Sequence, residues 1–351
     1  MLSRLEVGLA DEGVRVIHAV PDGEAVRSSS AGVFRSMVTY SRRVMTLMRG
    51  VAARQVVRAI ADMDDADEPE PIDLVHVFGG SVWGLGERLA AELSASVALE
   101  VWRPGLIHRA VRMSARVAEP RPVFFAPDPA TEAELRQQPV PVRPTYWGVH
   151  AAESPRRVLQ AGRAPTVMFI GSGRDAKRCQ AAFQGTVSAL RAGGEGLVFV
   201  DSLVARRAGL WGVAESMDVL DRVTLIEELE SRRDLLLQGD ILMQCEPMGE
   251  QKTVILEAMS TGMLVVSAAD RSISSLISGR TATLVEEPTA TAWSGAVKRL
   301  LEHPGEREAI AASAHQYIRT SRLASAHIRA VLDAYAWMTS SGSIPFVSRD
   351  V

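Results

Sequence analysis

The chain has 351 residues, 47% of them hydrophobic and 23% charged, with a formal net charge of −3. That length predicts about two domains with ample apolar content for both cores, and the near-neutral balance excludes a global pull toward nucleic acid. No apolar run approaches the ~20 residues of a membrane span and the first residues lack a secretory pattern, so a cytoplasmic protein is expected.

Strands alternate with helices and no short repeat is visible, which predicts α/β architecture with open, mostly parallel sheets. Leu2 to Glu12 reads as a helix and Val14 to Val20 as a strand. A long helical pattern is expected from about Val33 to Met63. A strand over Asp73 to Phe78, a helix through Leu85 to Leu93 and a strand over Val97 to Val101 follow. The Pro-rich segment from Glu119 to Pro144 holds one short strand, Val123 to Ala126. A linker over Ala151 to Pro165 leads to a second alternation: strand Val167 to Ile170, a helix to Leu190, and strand Leu197 to Val200. Ala324 to Met338 reads as a final helix.

The richest stretch runs from Asp240 to Pro288. Ile241 to Gln244 is a short apolar strand, Glu246 to Gly249 a Pro/Gly break, Thr253 to Met259 a helix that Gly262 stops, and Leu264 to Ser267 a second strand. A loop that delivers the chain to a helix start presents unpaired N–H groups and the positive end of the helix dipole, which suits phosphate. Lys252 and Thr253 sit at that spot, and Glu257 follows one turn later on the same face, where a carboxylate can accept from sugar or ribose hydroxyls. No structural need for Glu257 is evident there.

Glu257-Ala-Met-Ser-Thr-Gly262, followed by LVVS and then SGRTATLVEEP, resembles the sugar-nucleotide half of retaining GT-B glycosyltransferases, the group whose signature is Glu, seven residues, Glu. The resemblance implies two Rossmann-like domains with mostly parallel sheets facing a central cleft. It implies metal-independent transfer, with retention, from a nucleotide sugar that serves as substrate, with no cofactor and no metal site. Glu257 inherits the ribose-holding role by position. The first Glu is replaced by Gly249, and Glu250, one residue later, is the candidate to face the sugar. Tyr146-Trp-Gly-Val-His150 resembles the turn that closes the first domain, so the implied division is 1–150 on the acceptor side, 151–323 for the donor, 324–338 crossing back, and a tail over 339–351. Relatives begin with a strand and a glycine-rich loop. This sequence opens inside what resembles the first helix, so that strand is expected either upstream or absent.

A second phosphate-facing loop is expected at Gly171-Ser-Gly173, where strand Val167 to Ile170 ends and Arg174 and Lys177 open a helix. Only three of the 39 basic residues are lysines, and Lys177 and Lys252 fall in the two candidate loops. A compact ammonium suits a diphosphate, and cations at a helix start oppose the dipole unless an anion is present. In the group it resembles, an Arg and a Lys after this strand grip the donor diphosphate, so the resemblance implies a donor set of Gly171, Gly173, Arg174, Lys177, Lys252, Thr253 and Glu257, with Glu250, Lys177 and Arg174 as the catalytic candidates. The same loop fits Gly-x-Gly-x-x-Ala, with Asp201 ending the next strand, which keeps an NAD-dependent oxidoreductase open as an alternative. A catalytically silent GT-B scaffold is a second alternative, motivated by Gly249 and by Phe78, which stands where relatives place a sugar-touching His.

Other features weigh less. Cys179 and Cys245 lack metal or disulfide spacing and read as inert thiols. Asp62-Met-Asp64 and Asp65-Ala-Asp67 spell a metal-binding pattern of another glycosyltransferase fold, inside an acidic run that reads as solvated loop. His76 reads as a satisfied strand histidine, while Gly79, Gly80, Trp102 and Arg103 follow strand ends and are the acceptor-side candidates. Between Glu24 and Asp62 no acidic residue interrupts Arg27, Arg35, Arg42, Arg43, Arg49, Arg54 and Arg58, interleaved with Met37, Val44, Met45, Leu47 and Met48. Such an element reads first as a core-packed helix with a basic solvent face, and it also suits peripheral contact with an anionic membrane and a lipid-linked acceptor.

Overall fold

The computed structural model describes residues 2–22, 36–63, 70–116, 121–194, 196–247 and 249–340. The chain divides into two compact units, Met1–Tyr146 with Ser325–Val351, and Trp147–Ala324.

In the first unit, α1 (Leu2–Asp11) is followed by β1 (His18–Pro21) and β2 (Met37–Tyr40), which pair in parallel as a two-stranded sheet. The expected helix from Val33 is therefore corrected. Met37–Tyr40 is a strand, with Val38 and Tyr40 buried and Thr39 exposed, and among the described residues of that stretch α2 (Arg42–Leu47) and α3 (Arg49–Ala61) are the helical ones, broken at Met48 where φ is −141°. Val38, Thr39 and Tyr40 are residue types that fit a pleated surface, and a parallel partner distant in sequence lets that preference win. α3 buries Ala52, Ala53, Val56 and Ile60 in a cluster with Leu85 and Leu89 of α4 (Trp83–Leu93).

β3 (Leu74–Val77), β4 (Ser96–Glu100), β5 (Val123–Ala126) and β6 (Val142–Pro144) form a parallel sheet in that order. Two helices that the sequence reading missed, α5 (Ile107–Ser114) and α6 (Pro129–Leu135), lie along its connections. α6 starts where Asp128 accepts from the Ala130 amide at 2.9 Å and proline occupies the first turn, an N-cap arrangement too short for periodicity to reveal.

In the second unit, β7 (Thr166–Ile170), α7 (Ala176–Ala192), β8 (Leu197–Asp201), α8 (Ser202–Ala208), α9 (Leu210–Ser216), β9 (Val223–Ile226) and α10 (Arg233–Leu236) lead to β10 (Ile241–Gln244). Then come α11 (Thr253–Thr261), β11 (Leu264–Ala268), β12 (Thr283–Val285), α12 (Ala290–Glu302) and α13 (Pro304–Ser321). The sheet order β12-β11-β10-β7-β8-β9 is parallel throughout, and β10 and β11 are buried along their whole length, as expected of strands covered on both faces. Gly262 stops α11 at φ +83°, where a Cβ would meet the Arg156 carbonyl oxygen at 2.8 Å.

α14 (Ala324–Ser340) packs Val331, Ala334 and Met338 with Leu5 and Leu9 of α1 and with Val123 and Phe125 of β5. No helix among the described residues is long and apolar enough to cross a membrane.

Candidate functional site

The chain leaves β7 toward β8 and β9 on one side of the sheet and returns through β10, β11 and β12 on the other, so the order reverses between β7 and β10. Ligands of open parallel sheets bind at the carboxyl ends of strands flanking such a reversal. Gln244 lies opposite Ile170, which sets Gly171-Ser172-Gly173 beside Cys245-Glu246.

The loop between β7 and α7 is organised by Glu246, a residue the sequence reading passed over. Its carboxylate accepts from the amides of Ser172 (2.8 Å), Gly173 (2.8 Å) and Asp175 (2.7 Å), and from the Ser172 hydroxyl. Successive amides curled in this way form an anion cradle, and here a carboxylate of the same chain fills it. Gly173 sits at φ +68° and is packed so closely on α8 that a Cβ would lie 2.9 Å from Arg207 Cβ and 3.0 Å from Val204 Cα. Gly173, expected among the donor-binding residues, is buried and its N–H is donated to Glu246.

The cations of that loop lie outside the cradle. Arg174 and Lys177 are exposed, whereas the neighbouring Arg178 is bound to Asp175 at 2.9 Å. With Ser172, Glu246 and Glu250 they line a pocket of about 610 Å³, within the range of small-molecule sites. Cys179 and Cys245 lie beneath, both buried, 3.0 Å apart at sulfur, and the hydrogen bond between them together with burial pushes the Cys245 thiol well up. With Glu246 they are the one group of metal-ligand types clustered within 4.8 Å among the described residues, yet both Glu246 oxygens are engaged by loop donors.

The second loop is tied by ion pairs the sequence did not suggest. Lys252, just before α11, is bound to Glu230, and Glu257 is buried with its Oε2 2.8 Å from Arg233 Nε. Arg233 also reaches the Thr253 hydroxyl at 3.3 Å. Glu257 thus has a structural partner, against the expectation of none. The charged run Glu227 to Asp234 was the available signal, but nothing local says which charges meet. Gly249 has φ +62°, a conformation that favours glycine, and donates its amide to Asp270 at 2.7 Å.

In the first unit, Gly79, Gly80, Trp102 and Arg103 follow the carboxyl ends of β3 and β4. Gly80 is packed on Leu106, its carbonyl accepts from Arg109, and the Arg103 guanidinium lies 4.8 Å from the Trp102 ring centroid. His76 is buried against Tyr335, with Nδ1 2.6 Å from the phenol oxygen, and burial lowers its pKa to about 3. Asp201 caps α8 through the Leu203 amide at 2.9 Å and accepts from Leu229 at 3.0 Å, so both its oxygens serve the backbone rather than a ribose. Asp64, Asp65, Asp67, Arg27, Arg35 and the tail over 341–351 lie outside the described residues.

Residues 164–303 match the family described as Glycosyl transferases group 1. A search of curated proteins gives no match. Among solved structures, the chain is similar to a glycosyltransferase from Rickettsia africae, with a TM-score of 0.70 and 11% identity over 97% of this chain and 94% of that one. It is also similar to Anabaena Alr3699/HepE, solved with UDP and glucose, with a TM-score of 0.72 and 13% identity over 95% of each chain. A sucrose-phosphate synthase from Thermosynechococcus elongatus shares a TM-score of 0.60 and 15% identity over 87% of this chain and 84% of that one. Residues 164–303 thus match the glycosyl transferases group 1 family, and the chain has the GT-B fold of these solved glycosyltransferases.

Proposed function

We propose that the chain transfers a sugar from a nucleoside-diphosphate sugar to an acceptor with retention of anomeric configuration and without a metal ion. The observation that carries this reading is the pair of exposed cations, Arg174 and Lys177, beside the pocket at the sheet's reversal point. As the C1–oxygen bond to the diphosphate breaks, negative charge grows on the departing phosphate. Two cations beside it would stabilise that charge in the transition state. Lys252 and Thr253 would support the donor at the start of α11, Glu257 would hold the ribose, and Glu250 would face the sugar. Alr3699/HepE has also been solved with UDP-glucose, which makes uridine donors the first to test.

Acceptor contacts are assigned to Gly79, Gly80, Trp102 and Arg103. A lipid-linked acceptor and peripheral contact with an anionic membrane are supported by Leu47 and Met48, 83% and 60% exposed where α2 meets α3, amid Arg42, Arg43 and Arg49. Co-sedimentation with vesicles tests this: binding to phosphatidylglycerol-containing but not phosphatidylcholine vesicles is expected.

Calorimetric titration with UDP, GDP, ADP and NAD tests the donor reading. Binding of one nucleoside diphosphate, no response to NAD, and slow release of free sugar from the matching donor with its anomeric configuration kept are expected. Binding of NAD alone would return the oxidoreductase reading.

A further inference from the structure

A backbone loop that curls successive amides toward one point before a helix is built to hold an anion. In this chain the point is already filled. Glu246, 3% exposed, receives three amides and a hydroxyl, each a charge-assisted hydrogen bond. The loop is shaped to admit it, since a Cβ on Gly171 would come within 2.9 Å of Glu246 Oε2. The β7–β10 register supplies the approach by setting Cys245-Glu246 beside that glycine. A phosphate arriving at the pocket therefore finds the amides occupied and a carboxylate behind them, so it must be gripped from the outer side by side chains. Arg174 and Lys177 stand there, while Arg178 is held by Asp175. The Arg174 amide is itself anchored, donating to the Ser172 hydroxyl at 3.2 Å.

We propose that Glu246 is a positioning residue for the donor diphosphate: its carboxylate takes the place of a phosphate in the 172–175 cradle and so locks the loop that presents Arg174 and Lys177. This rests on the donor reading above. A displaceable plug is the opposing case, and the two differ in sign. In Glu246→Gln an NH2 group must face amide donors, so at least one cradle bond is lost. A lock then loosens and diphosphate binding weakens; a plug yields its site and diphosphate binding tightens.

The experiment titrates UDP, GDP, ADP, inorganic pyrophosphate and the parent nucleosides into wild type, Glu246→Gln and Ser172→Ala, with amide hydrogen exchange on the ligand-free proteins. In Glu246→Gln, affinity for the preferred nucleoside diphosphate and for pyrophosphate should fall on the order of tenfold, the lower end for charge-assisted bonds, with nucleoside affinity unchanged. A purely structural role would move nucleoside and diphosphate together. Ser172→Ala should shift binding in the same direction by less. The amides of residues 172, 173 and 175 should be protected in wild type and exchange faster in Glu246→Gln.

Unchanged or tighter diphosphate binding by folded Glu246→Gln overturns the proposal. Should that variant fail to fold, fast exchange at those amides in wild type, or unchanged diphosphate affinity in Ser172→Ala, overturns it instead. A wild-type chain that binds none of the probes defeats the donor reading itself, and this inference with it.

Discussion

Replacing Glu257 by glutamine tests the site and the fold at once. The side chain is 11% exposed and its Oε2 lies 2.8 Å from Nε of Arg233, whose own side chain is 34% exposed. Breaking a fully buried pair by removing one charge costs about 3–5 kcal/mol. Arg233 keeps a third of its surface in water, and glutamine retains an oxygen that can accept from Nε, so we expect a loss of about 1–2 kcal/mol. For a domain of this size each kcal/mol moves Tm by about 2–4 °C, which places the Glu257→Gln midpoint about 2–8 °C below wild type. Calorimetry on wild type, Glu257→Gln, Arg233→Gln and the double variant closes a cycle, with coupling of about 1 kcal/mol expected for contacting residues. Nucleoside-diphosphate affinity, measured on the same proteins at a temperature where all are folded, should fall in Glu257→Gln as ribose hydrogen bonds are lost. A Glu257→Gln protein as stable as wild type, with no coupling to Arg233, would refute the structural half of this argument. Unchanged nucleotide affinity would refute the functional half.

Lys177→Ala and Arg174→Ala should each weaken nucleoside-diphosphate binding by about 1.5–3 kcal/mol, roughly 10- to 150-fold by calorimetry, with little change in Tm; equal affinity removes the residue from the diphosphate site. Gly173→Ala places a side chain at φ +68° against the α8 backbone, so a stability loss of about 1–3 kcal/mol in urea unfolding is expected, and none would mean the loop relaxes freely. Burial lowers the pKa of His76 and of His327 from 6.5 to about 3, so the unfolded chain binds more protons between those values. Stability conferred by their neutral forms is complete above pH 6.5 and is lost as pH falls toward 3, by up to about 1.4 kcal/mol per pH unit for each histidine. Urea unfolding from pH 7 to 5 measures this, and a flat profile would show that neither histidine is buried neutral.

The sequence alone determined what is local. The apolar run Ile241–Gln244, the helix from Thr253 and the glycine stop at Gly262 are where periodicity and punctuation place them, because each depends on residues within one or two turns. The exposed cations Arg174 and Lys177 were legible for the same reason, being unusual at a helix start. Tertiary structure decided everything that needed a distant partner. Met37–Tyr40 became a strand because His18–Pro21 pairs with it. Glu230 and Glu257 met Lys252 and Arg233 across about 20 residues of intervening chain. The anion cradle, readable as a glycine loop, turned out to be filled by Glu246 more than 70 residues away, since only the pairing of β7 with β10 brings that carboxylate to those amides. Side-chain charge is written in the sequence, but which charge neutralises which depends on strand order, and a parallel sheet assembles its neighbours from segments far apart along the chain.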